Sequence, residues 1–263
     1  MSIFNKNFRN KKIIVTGHTG FKGSWLTLWL TLHKAKVLGI SKNIPTKPSH
    51  YQSINLSRKI KNIKLDLKNL DKLKKIFKSY KPDFIFHLAG VNRPKNEHEF
   101  HEGNVDLTNF IISKLKEYGR KVPIVLSSTS QVHLDNPYGK SKLEAENLIS
   151  TYTEITGSTS YIFRLPNVFG KWCKPNYNSF VATFCYNTVN GIDISINDPN
   201  SKVNLVYIDD VCKSLLCLLE EEREGGLIDV PNVYETTVGE VAEIISSFKS
   251  SRDTLISERV GVG

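Results

Sequence analysis

The chain has 263 residues, two-fifths of them hydrophobic, with a formal net charge of +10 at pH 7. That is enough for one large core or one and a half domains. No apolar run approaches the ~18 residues of a membrane span, and the start, MSIFNKNFRNKK, lacks the apolar core of a leader, so a cytoplasmic protein without membrane contact is expected.

The excess charge is mostly lysine spread along the chain, without a block of five like charges. It suits small anions such as nucleotides at least as well as nucleic acid, which calls for a clustered stripe with interleaved aromatics. Nucleic acid is therefore not an expected partner. Cys173, Cys185, Cys212 and Cys217 have neither metal-ligand spacing nor that of a redox pair; reduced buried thiols and no metal are expected.

In chain order, Ile13, Ile14 and Val15 form a short buried strand. Gly17, Gly20 and Gly23 follow, before an apolar helix containing Trp25, Leu26, Trp29 and Leu30. The first glycine permits the tight turn, the second lets backbone amides approach a pyrophosphate, and the third lets the helix pack closely with its N-terminus towards the anion. A strand over Lys36–Ile40 ends in Ser41, Lys42 and Asn43. An acid usual in NAD-specific sites is missing there, and Lys42 would attract a 2′-phosphate, which favours NADP.

A third strand, Ile60–Leu65, ends at Asp66 and Leu67, with Asp66 placed to contact an adenine amino group. A helix over 69–79 follows, and then a strand over Asp83–His87 entering HLAGVNRP. Ala89 and Gly90 would let backbone run beside a cofactor, and His87 reads as a packed strand-end residue. Asn104 starts the next helix, either capping it or bonding its neighbours.

A run from Val122 to Leu126 then ends in a hydroxyl cluster, Ser127 to Ser130, and Asn136 and Pro137 read as N-cap and first residue of an amphipathic helix. Tyr138 and Lys142, four apart, share a face of it. Ten tyrosines and 28 lysines give about one such pair by chance, so its position after strand, hydroxyls and cap carries the weight. An adjacent ammonium and the helix dipole would favour phenolate, drawing Tyr138 towards neutral pH as an acid or base.

Another strand, Ser160–Arg164, leads into RLPNVFGKWCKPNYNSFVATF, a loop dense in Asn, Trp, Tyr and Lys before a helix. Trp172 is either a stacking surface or core filler. VNLVYIDD is a strand ending in acids that start an apolar helix to Leu219, LIDVPNVYETTVGE gives a further strand, and Thr237 and Glu240 make a capping box. Repeated strand and helix over short connections predict an α/β, Rossmann-like doubly wound parallel sheet. Residues 1–165 form the dinucleotide-binding domain and 166–263 mostly a small substrate-binding subdomain, with 203–219 returning to the core.

GHTGFKG, HLAG, the hydroxyl cluster and YGKSK occur in the order seen in extended short-chain dehydrogenases/reductases, and the chain resembles that nucleotide-sugar family throughout. HLAGVNRP, DNPYGKSKLEAE and RLPNVFGKWCKPNYNSFVATFC are most similar to the reductase domain of capsular-polysaccharide enzymes making UDP-N-acetyl-6-deoxy-L-hexoses. GHTGFKGSWL is also similar to CDP-glucose dehydratases.

The resemblance implies NADPH-dependent reduction of the C4 keto group of a UDP-4-keto-6-deoxy-N-acetylhexosamine, in a homodimer. Thr129, Tyr138 and Lys142 would be catalytic. Gly17, Thr19, Gly20, Phe21, Lys22, Gly23, Ser41, Lys42, Asp66, Leu67, Leu88, Ala89, Gly90, Tyr138, Lys142 and Leu165 would hold the cofactor. Arg93, Asn104, Thr129, Asn167, Lys171, Trp172, Lys174 and Asn178 would hold the substrate.

Three departures sharpen this. Related 4,6-dehydratases follow the threonine with Asp-Glu, whereas Thr129 is followed by Ser130 and Gln131, which cannot eliminate water. Val203 stands where many epimerases place an arginine against the diphosphate; Arg93, Lys171 and Lys174 are the substitutes. Capsular enzymes of this type also continue beyond a segment similar to SSFKSSRDTLI into a cupin domain, so no cupin chemistry is expected. A 4-epimerase with tightly bound NAD and an inactive truncated nucleotide-binding protein are the alternatives.

Overall fold

The computed structural model describes residues 8–65, 70–220 and 224–249. Its elements run β1 (Lys12–Thr16), α1 (Phe21–Leu32), β2 (Lys36–Ser41), α2 (His50–Ser53), β3 (Lys61–Lys64), α3 (Leu70–Tyr80), β4 (Phe84–His87), α4 (His98–Phe100), α5 (Leu107–Tyr118), β5 (Ile124–Thr129) and α6 (Pro137–Thr156). There follow β6 (Ser160–Leu165), β7 (Asn167–Phe169), α7 (Phe180–Asn190), β8 (Lys202–Tyr207), α8 (Ile208–Glu220), β9 (Gly226–Ile228), β10 (Val233–Thr237) and α9 (Val238–Ser247).

Seven strands form one Rossmann-like sheet in the order β3-β2-β1-β4-β5-β6-β9, parallel throughout. Alternate residues serve opposite faces. Ile13, Val15, Phe86, Val125 and Phe163 pack against Leu26 and Leu30 of α1 and Val211 and Leu215 of α8. Ile14, Ile85, Ile124 and Leu126 pack against Ile111 and Leu115 of α5 and Ala145, Ile149 and Tyr152 of α6. Each such Val, Leu, Ile or Phe side chain contributes about 1.5–3 kcal/mol. Strand order reverses between β1 and β4, and the crevice at their carboxyl ends is where such sheets bind ligands.

β10, β8 and β7 make a second sheet, antiparallel between β10 and β8 and parallel between β7 and β8. Phe184, Leu205, Val241, Ala242 and Ile245 form its core with α7 and α9. The sequence expectation differs here. Of 203–219, helix α8 packs on the main core, but β8 hydrogen-bonds in the second sheet, and β9 is what extends the main sheet. LIDVPNVYETTVGE holds two strands, one for each sheet.

The caps form as the side-chain chemistry dictates. Asn136 Oδ1 accepts from Gly139 N at 2.7 Å, and Thr237 and Glu240 close a reciprocal capping box on α9. Around Asn104 the chain is already helical from His98 and passes through a π turn, His101–Asp106, into α5. Asn104 is thus inside a helix, not at its start. Among the described residues no helix is long and apolar enough to cross a membrane, and no group of His, Cys, Asp and Glu could hold a metal ion. None of the four cysteines forms a disulfide, but only Cys212 is buried; Cys185 is exposed, which corrects the expectation of four buried thiols.

Candidate active site

Gly17 follows β1 with φ +74°, and a Cβ there would lie 2.8 Å from Ala89 N, so the turn passes the end of β4 only as glycine. A Cβ on Gly23 would lie 2.2 Å from Gly17 O; its absence brings α1 against the loop. Gly20 caps α1 without a side-chain hydrogen bond, and the first turn carries no acid. The amides and positive dipole end are left for an anion, a fit to a dinucleotide's pyrophosphate.

A cleft of about 480 Å³ opens there, lined by Gly17, Thr19, Gly20, Phe21, Lys22, Gly23, Leu88, Gly90, Thr129, Tyr138, Leu165, Asn167, Trp172, Lys174 and Asn178 among the anticipated residues. It also takes in His50, Asn92, Gln131 and Tyr177, which the sequence reading did not nominate. His50 stacks on Trp25 with ring centroids 4.0 Å apart and lies 5.8 Å from Trp172. Trp172 is 45% exposed and has φ +69°; it is a cleft wall, not core filler.

Other anticipated residues stand off this wall. Ser41 Oγ bonds His18 Nδ1 at 2.9 Å, Lys42 is exposed, and Thr19 Oγ1 donates to the Asn43 carbonyl at 2.7 Å, tying the end of β2 to the glycine loop. Ala89 N donates to Thr16 Oγ1 at 3.2 Å. Asn104 is 2% exposed; its amide accepts from Val91 N and donates to Val91 O and Ser141 Oγ, so bonding its neighbours is the role it fills. Arg93 lines an adjoining cavity of about 500 Å³ that shares Tyr177 and Asn178 with the cleft. Its guanidinium and the Lys174 ammonium lie 5.6 and 5.2 Å from the Tyr177 ring. Lys171 instead stands over Trp25 and Tyr207. Asp66 and Leu67 lie outside the described residues.

The chemistry gathers where β5 meets α6. The hydroxyl residues belong to the strand itself: Ser127, Ser128 and Thr129 are its last three residues and are buried. Thr129 hydrogen-bonds the Tyr138 phenol and accepts from Gln131 N at 3.2 Å. Lys142, 5% exposed, donates from Nζ to the Ser127 carbonyl at 2.6 Å, and Lys22 Nζ donates to Ser127 Oγ at 2.7 Å. Ser128 donates to Glu146, whose carboxylate also takes Arg164 Nη2 at 2.7 Å and Nε at 3.1 Å.

The electrostatics correct the sequence expectation. Burial pushes the Tyr138 phenol above its ordinary value, and the Thr129 hydrogen bond only partly opposes it. The Lys142 amine is drawn to about 7 by burial and then by the Lys22 charge, against Glu146. A lysine whose end is turned to a backbone carbonyl, and which gives up its own proton near neutrality, does not make its neighbour a phenolate. His87 is packed as anticipated, between Thr16 Oγ1 at 2.7 Å and Thr108 Oγ1 at 3.0 Å, and burial holds it down at about 3.

A glycine turn at the switch point of a parallel sheet, facing a Thr–Tyr pair across one cleft, defines a Rossmann-like nucleotide-binding fold. The chain belongs to the NAD dependent epimerase/dehydratase family, whose model matches residues 13–233.

Among relatives, it is 39% identical over 253 residues to a Pseudomonas aeruginosa UDP-2-acetamido-2,6-beta-L-arabino-hexul-4-ose reductase, covering 96% of this chain and 61% of that protein. The crystal structure of the Staphylococcus aureus capsular polysaccharide assembling protein CapF is similar at TM-score 0.72 and 37% identity, over 92% of this chain and 59% of that one. A Thermotoga maritima UDP-glucose 4-epimerase shares the fold, with TM-score 0.82 at 21% identity over 91% and 82% of the two chains. The chain therefore spans about three-fifths of the length of the first two.

Proposed function

We propose that the protein reduces the C4 keto group of a UDP-4-keto-6-deoxy-N-acetylhexosamine with NADPH. The observation that carries this is the half-buried, protonated phenol of Tyr138 hydrogen-bonded to Thr129 on the cleft wall. A ketone reduction adds a hydride at carbon and a proton at oxygen. Tyr138 gives the proton to the C4 oxygen, and the Thr129 hydroxyl holds that oxygen.

A phenol that stays neutral is already in the donor form, so the raised value favours reduction over an oxidation that begins with a base. This also sets the reading above a 4-epimerase. Ser130 and Gln131, which line the cleft beside Thr129, hold no acid–base pair for dehydration.

When bound, the cofactor would supply the hydride. The amides of Phe21 and Lys22 would hold its pyrophosphate, Lys142 its nicotinamide ribose, and Ser41 with Lys42 a 2′-phosphate. Arg93 and Lys174, both close to Tyr177, are the cations nearest to hand for the substrate diphosphate, with Asn167, Trp172 and Asn178 along the wall. The similarity to a UDP-hexulose reductase supports the substrate class.

The test is NADPH oxidation with UDP-4-keto-6-deoxy-hexosamines, wild type beside Tyr138→Phe. We expect the variant to lose about 10²–10⁴-fold in kcat while still binding NADPH. Equal rates in the two proteins would remove the mechanism; tightly bound NAD that co-purifies, with interconversion of C4 epimers, would replace it with the epimerase.

A further inference from the structure

We propose that Lys22 is a positioning residue of this site, which acts through Ser127 to loosen the hold of Lys142 on its proton. The inference rests on the reading of Lys142 as the site lysine and goes beyond it, because it makes Lys22 part of the proton chemistry as well as of the cofactor cradle.

The geometry is specific. Lys22 leaves the glycine turn one residue before Gly23, half-buried on the cleft wall, and crosses to β5, where its Nζ donates to Ser127 Oγ at 2.7 Å. Lys142 reaches the same residue from α6, donating to the Ser127 carbonyl at 2.6 Å. Two amines, one from α1 and one from α6, thus end on two oxygens of one serine. Among the described residues neither is within ion-pair distance of a carboxylate.

Glu146, the acid on the same face of α6, is occupied by Arg164 of β6 and by Ser128. From β4, His87 is buried and neutral at pH 7, and Tyr138 on α6 itself is protonated. Lys22 is therefore the one positive charge among the groups named here that faces Lys142 without a counter-charge beside it. Like charges close together in a dehydrated site disfavour the charged form, in line with the low value of Lys142, about 7, which burial and then the Lys22 charge bring down; burial alone brings Lys22 to about 8. Reduction takes up one proton per turnover, and a lysine that releases its proton at neutral pH beside the donor phenol suits that demand.

The experiment reads Lys142 itself, independently of any substrate. Trace acetylation with acetic anhydride across a pH series, followed by mass spectrometry of the peptide carrying Lys142, gives the titration midpoint of that amine in wild type, Lys22→Met and Lys22→Arg. The wild-type midpoint is expected near 7, moving towards the ordinary lysine range in Lys22→Met and staying at or below the wild-type value in Lys22→Arg, whose charge is permanent. An unchanged midpoint in the methionine variant, or an equal rise in both, overturns the proposal. Should Lys22→Met fail to fold, the arginine variant decides alone: a midpoint at or below wild type supports the proposal and a raised one overturns it. Failure of the keto-sugar assay would leave this readout standing, so the two readings fall separately.

Discussion

At the scale of single residues, the site is held by hydroxyls that share their partners with charges. Ser128 links β5 to Glu146, and Glu146, 3% exposed, carries Arg164 on both oxygens. Replacing Glu146 with Gln leaves the Arg164 side chain, 27% exposed, without its counter-charge. Removing one partner of a buried pair costs about 3–5 kcal/mol, and the exposure of the arginine discounts this to roughly 2 kcal/mol. We expect a lower urea midpoint and slower turnover, because Thr129 adjoins the serine that Glu146 holds; an unchanged midpoint would refute the role. Tyr138 and Lys142 could be singled out in the sequence from spacing and context, and Thr129 from the family resemblance, but Glu146 was not, although it lies four residues beyond Lys142 on the same face. The direction of the Tyr138 shift was not legible either. It depends on where the Lys142 amine ends, which spacing along a helix does not determine.

At the scale of elements, the glycine turn separates two jobs that the sequence spacing ran together. A methyl group at Gly23 would press within 2.2 Å of Gly17 O and 2.8 Å of His18 Cα, both backbone-held, whereas one at Gly20 would meet only Gly17 O, at 3.3 Å. Gly23→Ala should therefore destabilise the fold by about 1–3 kcal/mol through overpacking. Gly20→Ala should nearly keep the melting temperature yet weaken NADPH binding, since its side chain stands at the uncapped end of α1. Melting curves and NADPH titrations on the pair check this, and equal stability losses in both would contradict it. The strong elements could be read from pattern alone: the β1 run, the capped α6, the capping box of α9. β7 and β9 could not. Each has only three residues, too few for an alternation to register, and Leu227 of β9 is 57% exposed. Their places are fixed by pairing with distant strands, and the π turn brings Asn104 to side-chain hydrogen bonds with Val91 and Ser141 that no local pattern announces.

At the scale of the whole molecule, the buried amines and imidazole give the fold a shared dependence on pH. His87 titrates at about 3 in the folded chain against 6.5 ordinarily, Lys142 at about 7 and Lys22 at about 8 against 10.5. In each case the unfolded chain binds more protons between the two values, so stability rises with pH across that window. His87 acts from about 3 to 6.5, and the two lysines from about 7 to 10.5. The opposing groups enter late. Burial raises the Cys212 thiol above its ordinary 9.0 and the Tyr138 and Tyr80 phenols above 10.0, so the folded chain is the one that holds extra protons there and stability falls again. Urea unfolding over a pH series should accordingly place the maximum well on the alkaline side of neutrality, between about 9 and 10, where the cysteine and the phenols together offset the two lysines. Lys22→Met with Lys142→Met should flatten the rise above pH 7 and leave the His87 limb below it in place. A maximum at or below neutral pH in the wild-type chain would mean that these amines keep their protons in the folded state, and that the electrostatic account of the cleft floor is mistaken.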